Sequence, residues 1–321
     1  MKIKVLAMKP FIKFALHVCL WSFLFESALL VANQKAELSD KKVVVASKVD
    51  TEGAVLGQMM LKLLDYHGVP VEDKTSFSAT SVIRKAMIQG QIHLYPEYTG
   101  NGAFFFQMES SPVWKDFQKG YEKIKELDYK KNKLLWLKPA KADNTWAIAV
   151  RKDFSQKEKI VSLSDLAAYL KKGGYFKLAA SEEFIESPVA LPAFQKAYGF
   201  TLNSKQILAF SGGNTATTEK AAALNQNGVN ACMAYGTDGG LASFDLVVLS
   251  DPMQVQPVYA PSAVLTEEMS KRYPKIKPNI EKLFDSLTGD LLRKLNEKVA
   301  LQGIPAPLVA EEYLKKNGFI K

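Results

Sequence analysis

The sequence predicts an α/β protein built as two lobes, between which the chain passes twice. Strand and helix patterns alternate along most of the chain, and 321 residues are enough for about two domains. The last part, about 267–316, reads as helical and returns to the first lobe. Hydrophobic residues make up 47% and charged residues 23%, which is typical of globular proteins and argues against general disorder.

The amino-terminal segment carries the pattern of an export signal. Lysines precede an apolar run over about 14–31, and the small residues Ala32 and Ala36 offer cleavage sites. An uncleaved membrane anchor is the alternative, but Glu26 divides the run and leaves it short of the roughly 20 apolar residues that span a bilayer. We therefore expect residues 1–32 to be a signal peptide, cleaved near 32–36, and the mature protein to be periplasmic.

The first lobe is predicted from a βαβαβ pattern. A β-branched run gives the first strand, and Thr51 caps a helix with apolar residues at helical spacing up to Gly68. The third strand ends at Pro96. The predicted elements are strands at 42–46, 69–75 and 92–95 and helices at 51–67 and 81–89. This order indicates a parallel sheet covered by helices.

The second lobe follows a long amphipathic helix over about 112–130. Further strands are predicted at 134–137, 145–150, 176–180, 206–210, 229–234, 246–249 and 256–259. The chain crosses between lobes near 140–146 and again near 250–256. We assign 41–142 plus 251–321 to lobe 1 and 143–250 to lobe 2. Two crossings predict hinge closure over a ligand in the interlobe cleft.

Aromatic residues gather at predicted strand ends. Tyr95 and Tyr98 follow the third strand, Trp146 begins another, and Tyr235 and Tyr259 end two more. Ligands of parallel α/β sheets bind at the carboxyl ends of strands, so these rings can face the cleft. Each ring face attracts a cation by about 0.5–2 kcal/mol, which suits a cation that donates no hydrogen bonds. Ordinary packing is the alternative at any single position.

Few residues are available for catalysis or metal binding. Two cysteines, Cys19 and Cys232, exclude a disulfide framework and a cysteine-built zinc site. Three histidines leave little imidazole chemistry, so we expect no catalytic residues, metal or cofactor. The net charge of +9 is dispersed in short runs beside acidic residues, which argues against nucleic-acid binding.

Six stretches, in order along the chain after the export segment, carry a family resemblance. They are Ala46–Lys48 with Thr51–Glu52, Tyr95–Ala103, Asn144–Val150, Glu183–Ile185 with Leu191–Phe194, Tyr235–Gly239, and Gln256–Tyr259. Together they resemble the glycine betaine/choline/carnitine-binding proteins of ABC importers, most closely the OsmF-type subgroup linked to osmoprotectant uptake. The resemblance implies a type II periplasmic-binding-protein fold with its ligand in the interlobe cleft.

The resemblance also implies roles for individual residues. The aromatic cage of the family falls on Tyr98, Trp146, Tyr235 and Tyr259. Lys48 matches a lysine near the ligand carboxylate, and Asn144 matches a polar residue at the rim of the cleft. Four further residues are secondary candidates: Tyr95, Thr99, Asn101 and Ser187.

Two departures from the family pattern bear on the ligand. Asn101 replaces a common threonine, and Ser187 stands where many relatives carry an arginine that holds a carboxylate. Without that arginine a bidentate, charge-assisted contact is lost, and Lys48 is left as the expected partner of an anionic group. Whether the ligand needs a carboxylate therefore stays open.

The sequence thus predicts an exported solute receptor and not an enzyme. We expect it to bind a quaternary-ammonium osmolyte such as glycine betaine or choline, to act as a monomer, and to deliver the ligand to an ABC permease with its ATPase subunit. Two alternatives stay open. One is a receptor for a different small solute such as an amino acid, and the other is a periplasmic hydrolase, which needs a nucleophile and a base in the cleft.

Overall fold

The computed structural model describes residues 41–211 and 215–321. The predicted signal peptide, residues 1–32, lies outside this described part. Within it, no helix combines the length and the apolar character needed to cross a bilayer. The elements below all belong to one compact unit, Val43–Lys321.

The strands of this unit form two five-stranded sheets. In chain order they are β1 (Val43–Lys48), β2 (Val71–Ser78), β3 (Leu94–Tyr98), β4 (Leu134–Trp136), β5 (Trp146–Arg151), β6 (Leu178–Ser181), β7 (Ile207–Phe210), β8 (Ala231–Tyr235), β9 (Leu246–Val248) and β10 (Pro261–Thr266).

The α-helices connect and cover these strands. In chain order they are α1 (Thr51–Tyr66), α2 (Thr80–Ile88), α3 (Gly102–Phe105), α4 (Phe117–Asn132), α5 (Lys152–Glu158), α6 (Leu163–Lys171), α7 (Glu182–Glu186), α8 (Leu191–Tyr198), α9 (Thr215–Ala223), α10 (Gly240–Ser243), α11 (Glu267–Arg272), α12 (Ile276–Asp285), α13 (Gly289–Ala300) and α14 (Ala306–Lys316).

The first sheet, which with α1–α4 and α11–α14 we call lobe 1, has the order β2-β1-β3-β10-β4. Strand β1 runs parallel to β2 and β3, whereas β10 lies antiparallel between β3 and β4. The register sets Tyr98 opposite Pro261. The sheet therefore contains a strand from near each end of the described chain.

The second sheet, which with α5–α10 we call lobe 2, has the order β7-β6-β8-β5-β9. Strand β6 is parallel to β7 and β8, and β5 lies antiparallel between β8 and β9. In each five-stranded sheet, four strands thus run in one direction, and the antiparallel strand lies between the fourth of these and the other three. The chain passes between the sheets after β4 and after β9, so the predicted two-lobed α/β fold is confirmed.

Both faces of each sheet are buried, as expected for parallel sheets between helices. On one face of the first sheet, α1 buries residues at helical spacing such as Val55, Met59 and Leu63, and α14 packs against α1. The other face holds an aromatic core with Trp114 and Trp136. The second sheet has a large core on one face and an alanine-rich core on the other.

The predicted end of the third strand is wrong. Strand β3 does not end at Pro96 but continues to Tyr98. The ladder between β1 and β3 ends at Val45 and Leu94, so a proline beyond Leu94 removes no bond on that side. This extension carries Tyr98 to the carboxyl end of the strand.

The predicted strand over 256–259 is also wrong. Its backbone is bonded to loops: the Val258 N–H donates to the carbonyl of Trp114, and the Tyr259 N–H donates to the Asp143 side chain. The strand that returns the chain to lobe 1 is β10, which begins two residues later. A further correction concerns α1, whose N-cap is Asp50 and not Thr51.

Candidate ligand-binding site

The six principal candidates lie at strand ends or on the two crossings between the lobes. Lys48 and Tyr98 end β1 and β3, Trp146 begins β5, and Tyr235 ends β8. Asn144 lies on the first crossing and Tyr259 on the second.

Lys48 is buried and fully paired with a carboxylate. Its Nζ lies 2.5 Å from Oε1 of Glu97, which has no exposed surface. The backbone N–H of Tyr98 and the side-chain amide of Asn101 donate to the same oxygen, at 2.8 and 2.7 Å. Lys48 Nζ also lies 4.5 Å from the centroid of the Tyr98 ring. One face of this ring is therefore already in contact with a cation.

A second buried carboxylate, Glu52 in the first turn of α1, accepts from three side chains. The Tyr98 hydroxyl donates to Oε1 at 2.8 Å and the Asn144 amide to the same oxygen at 3.2 Å. The Asn296 amide donates to Oε2 at 2.9 Å. Burial raises the pKa of Glu52 to about 7, against the lowering effect of side-chain hydrogen bonds from Thr237, Asn296 and Tyr98. Burial also raises the pKa of Tyr98, whose hydroxyl stays a donor.

Lobe 2 contributes a pair of stacked rings. Trp146 and Tyr235 are direct cross-strand partners on β5 and β8. Their ring centroids are 6.3 Å apart and the planes differ by 22°. Phe184 of α7 is fully buried and meets the indole edge-on at 6.1 Å. The register of β5 and β8 therefore places the two rings side by side, and Phe184 of the lobe 2 core holds the indole in position.

Tyr259 is held by the two crossings, which are bonded to each other. Its N–H donates to Asp143 at 2.8 Å, and its carbonyl accepts from the Asn144 N–H at 3.0 Å. Its ring lies against Gly100, where a Cβ atom would come within 2.9 Å of the ring. Burial raises the pKa of Asp143 to about 6. The close approach explains why a glycine is needed in this turn.

The loop after β8 connects lobe 2 to α13. Asn296 donates to the carbonyl of Thr237 at 2.9 Å, and Arg293 donates to the carbonyl of Gly236 at 2.7 Å. The side chain of Asp238 accepts from the Tyr235 N–H at 2.6 Å, and burial raises the pKa of Asp238 to about 6. The loop is therefore fixed at both ends, one of them beside the stacked rings.

The contacts connect most of the principal candidates. Lys48 meets Tyr98, Tyr98 and Asn144 share Glu52, and Asn144 is bonded to Tyr259. Trp146, two residues after Asn144 in the chain, stacks separately on Tyr235.

The secondary candidates are buried in the core or hydrogen-bonded to other parts of the protein. Tyr95 is fully buried in the aromatic core of lobe 1. Thr99 bonds the backbone of 258–260, and Asn101 bonds Glu97. Ser187 is the C-cap of α7, with its N–H on the Glu183 carbonyl.

Sequence reasoning missed Glu52, Glu97 and Phe184 as parts of this arrangement. All three stand within the six stretches of resemblance, which is the signal that could have found them. A glutamate in a first helical turn also complements the helix dipole, and this ordinary explanation hides a buried role.

The chemistry of the arrangement favours a cation over a reaction. Ring faces and carboxylates are negative, and the one lysine among them is neutralised by Glu97. Cys232 is buried, and burial raises the pKa of its thiol, which makes it a poor nucleophile. In the part of the chain that the structure describes, no cluster of three metal-ligating side chains occurs.

Comparison with known proteins identifies the family to which the chain is similar. Residues 41–316 match the family described as the substrate binding domain of ABC-type glycine betaine transport systems. The chain is 53% identical over 279 residues to the glycine betaine-binding protein YehZ of Escherichia coli K12, covering 87% of this chain and 92% of that protein.

Solved structures show the same fold. A structure of apo YehZ from Escherichia coli matches with a TM-score of 0.76 at 52% identity, covering 87% of this chain and 99% of that one. A crystal structure of a glycine betaine/carnitine/choline ABC transporter protein matches with a TM-score of 0.77 at 25% identity, covering 87% and 100%.

Proposed function

The chain belongs to the family of substrate-binding domains of ABC-type glycine betaine transport systems, and from this premise we propose that it binds a quaternary-ammonium solute in the cleft between its lobes. Members of this family are extracytoplasmic solute receptors for osmoprotectant uptake and not enzymes. The hydrolase alternative is therefore set aside. A receptor of this kind works with a permease of its importer.

The observation that carries the proposed ligand class is the stacked pair Trp146 and Tyr235, together with Tyr98 at the end of β3 and Tyr259 on the second crossing. A methylated ammonium group donates no hydrogen bond, so it gains most from ring faces and nearby negative charge. Glu52 supplies that charge behind the Tyr98 ring. The rings and the carboxylate together select a cationic group.

The site offers fewer partners to the anionic end of a betaine than to its ammonium end. Lys48 was expected to meet a ligand carboxylate, but it is 2.5 Å from Glu97 and its charge is already compensated. Ser187 offers a hydroxyl where an arginine would offer two charged donors. We therefore propose that the ammonium group, and not a carboxylate, dominates binding, so that choline and glycine betaine are both ligands.

We further propose that lobe 1 (41–142 plus 251–321) and lobe 2 (143–250) close over the ligand about the two crossings. Closure is stabilised only by contacts that the ligand makes better in the closed state. In this proposal the segment 1–32 directs export to the periplasm and is removed, and the monomeric receptor docks on a permease served by an ATPase subunit.

Calorimetry tests the ligand class. The mature protein is titrated with choline, glycine betaine and carnitine, and with ethanolamine as a matched amine without methyl groups. Binding of the methylated ligands and weak or no binding of ethanolamine is expected, since ethanolamine keeps the charge but has N–H donors that the rings cannot accept well. Trp146→Ala is the site control.

Absence of heat and of thermal stabilisation with all methylated ligands at millimolar concentration contradicts the proposal. Preference for an unmethylated amino acid over every methylated ligand contradicts it in favour of the alternative receptor.

A further inference from the structure

Glu52 is a buried charge that joins three separate parts of the molecule. Its side chain receives the Tyr98 hydroxyl from β3 and the Asn144 amide from the first crossing. Its second oxygen receives the Asn296 amide from α13, and the same amide nitrogen also donates to the Thr237 carbonyl of lobe 2. One carboxylate thus sets the position of a candidate ring, of the crossing and of the loop after β8.

The hydrogen bonds match the ionised form of this side chain. All three partners donate, and an ionised carboxylate accepts through both oxygens without offering a proton. A neutral acid would need one partner to turn an oxygen toward its proton, which the Tyr98 hydroxyl or a rotated asparagine amide can do. No lysine, arginine or histidine within residues 41–211 and 215–321 forms an ion pair with Glu52. Its charge is therefore held by neutral donors alone.

Burial opposes this ionised form. Glu52 is 4% exposed, and burial raises its pKa to about 7. Asp50 on α1 raises the pKa further, and Lys48 is paired with Glu97 on the other side of Tyr98. The Asp143 side chain, on the first crossing, accepts a hydrogen bond from the Tyr259 N–H. The side chain of α13 that bonds Glu52 is Asn296, which is neutral. Among the described residues, an ionised Glu52 therefore has no cation as its partner.

We propose that Glu52 is a positioning residue of the cation site, whose carboxylate orients Tyr98 and gives up a proton when a cationic ligand binds beside that ring. This inference rests on the proposed function. Donation of the tyrosine hydroxyl to a carboxylate places negative charge behind the ring and strengthens its attraction for a cation. A cation bound there in turn favours the ionised carboxylate, so binding and proton release are linked.

The expected consequence is a pH-dependent affinity for choline, which has no group that titrates near neutral pH. Below its pKa Glu52 carries a proton that binding has to remove, so choline binds more weakly there. A pKa near 7 in the free protein predicts roughly 3- to 30-fold weaker binding at about pH 5.5 than at about pH 8.5.

The experiment measures choline binding by calorimetry at several pH values for the wild type, Glu52→Gln and Glu72→Gln. Glu72 is a half-exposed carboxylate on β2 and serves as the matched control. Because the pKa values of Asp143 and Asp238 are also raised to about 6, the difference between the wild type and Glu52→Gln isolates Glu52. Repeating the titration in buffers of different ionisation enthalpy counts the protons released.

The wild type and Glu72→Gln are expected to release protons near pH 7 and to gain affinity as pH rises. Glu52→Gln is expected to bind more weakly at about pH 8.5 and to lose most of both effects. Its melting temperature at that pH should stay close to the wild-type value, because the lower cost of burying an amide offsets the hydrogen bond that is lost where its NH2 group meets a donor. Weaker binding without loss of stability separates positioning from a purely structural role.

Two results overturn the inference and are distinguishable. If the wild type binds choline and Glu52→Gln matches it in affinity and proton count, the inference is wrong and the proposed function stands. If the wild type binds no methylated ammonium ligand at any pH, the proposed function fails and the inference fails with it.

Discussion

Tyr98 and Tyr235 are both tyrosines at the ends of parallel strands, but their surroundings differ. The Tyr98 hydroxyl donates to Glu52 and its ring lies beneath Lys48. The Tyr235 ring instead stacks on Trp146. A substitution that keeps the ring is therefore not equivalent at the two positions.

The stacked indole gives the first prediction. Trp146→Ala is expected to weaken binding of choline about 3- to 30-fold, the equivalent of one cation–π contact, whereas Trp146→Phe retains a ring and loses less. Calorimetry at fixed pH measures both. Equal losses for alanine and phenylalanine would show that the ring face does not contact the cation.

The hydroxyl of Tyr98 gives the second prediction. Tyr98→Phe leaves Glu52 Oε1 with only the Asn144 amide, so the free energy of unfolding at about pH 8 should fall by about 1–3 kcal/mol. Tyr235→Phe removes no donor from a carboxylate and should cost less. Urea denaturation compares the two variants, and a larger loss for Tyr235→Phe contradicts the assigned hydrogen bond.

At the scale of residues, the sequence predicts positions better than partners. Trp146 and Tyr235 lie at strand ends as predicted, because strand ends follow from local patterns, whereas their pairing across the sheet does not. The pairing of Lys48 with Glu97, 49 residues away, depends on β1 and β3 being neighbours in the sheet. No local pattern shows that Lys48 is paired with Glu97, and its predicted contact with a ligand stays a prediction.

Among the elements, α13 has the closest contact with the other lobe. A Cβ atom on Gly239, in the loop after β8, would lie 2.2 Å from the backbone nitrogen of Glu297 on α13. Backbone cannot move aside as a flexible side chain can, so this approach requires glycine.

The third prediction follows from that contact. Gly239→Ala should lower the free energy of unfolding by about 1–3 kcal/mol and weaken choline binding, because the loop is displaced from α13. Gly120→Ala in α4, where a Cβ atom would find its nearest neighbour at 3.4 Å, is the control and should be neutral or stabilising. Thermal unfolding and calorimetry measure both variants. An unchanged Gly239→Ala would contradict the tight packing.

A buried ion pair joins α2 to α4 and gives the fourth prediction. Arg84 donates to both oxygens of Asp128 at 2.6 Å, and Asp128 has no exposed surface. Arg84→Ala should destabilise by about 3 kcal/mol, because it leaves a buried carboxylate without its cation. The exposed pair of Arg151 and Asp153 is the control, since Arg151→Ala should cost less than about 1 kcal/mol. Similar losses in urea denaturation would contradict this difference.

At the scale of elements, the alternation of strands and helices is predictable because it follows from side-chain periodicity. The conformation of 256–259 is not predictable in this way, because its backbone bonds to loop and side-chain groups instead of a strand. The Val258 N–H donates to the Trp114 carbonyl, and the Val258 carbonyl accepts from the Thr99 hydroxyl. Periodicity reports burial, and it does not report which backbone groups supply the hydrogen bonds.

The whole molecule carries several carboxyl groups whose pKa is raised by burial, to about 7 for Glu52, about 6 for Asp143 and Asp238, and about 9 for Glu219. An acid whose folded pKa exceeds its unfolded value binds more protons when folded. Its contribution to stability is complete below the unfolded value, near pH 4, and is lost as pH rises through the folded value.

The fifth prediction is therefore that the melting temperature falls between about pH 5 and pH 8. Below about pH 4 the trend reverses, because groups such as Glu311, whose pKa is lowered to about 2 by bonds to lysines, then lose their stabilisation. Glu52→Gln should reduce the fall. Scanning calorimetry across this range measures the trend, and a melting temperature that rises from pH 5 to pH 8 contradicts it.

The position of β10 decides the order in which the molecule can be completed during synthesis. This strand lies between β3 and β4, yet it follows the whole of the second sheet in the chain. A polypeptide that emerges amino end first can pack α1 on β1 and β2, but the part of α1 that contacts α13 and α14 stays uncovered until those helices appear. Lobe 2, whose strands are contiguous, can mature first. The unfinished lobe 1 is the surface that a chaperone would need to shield in the meantime.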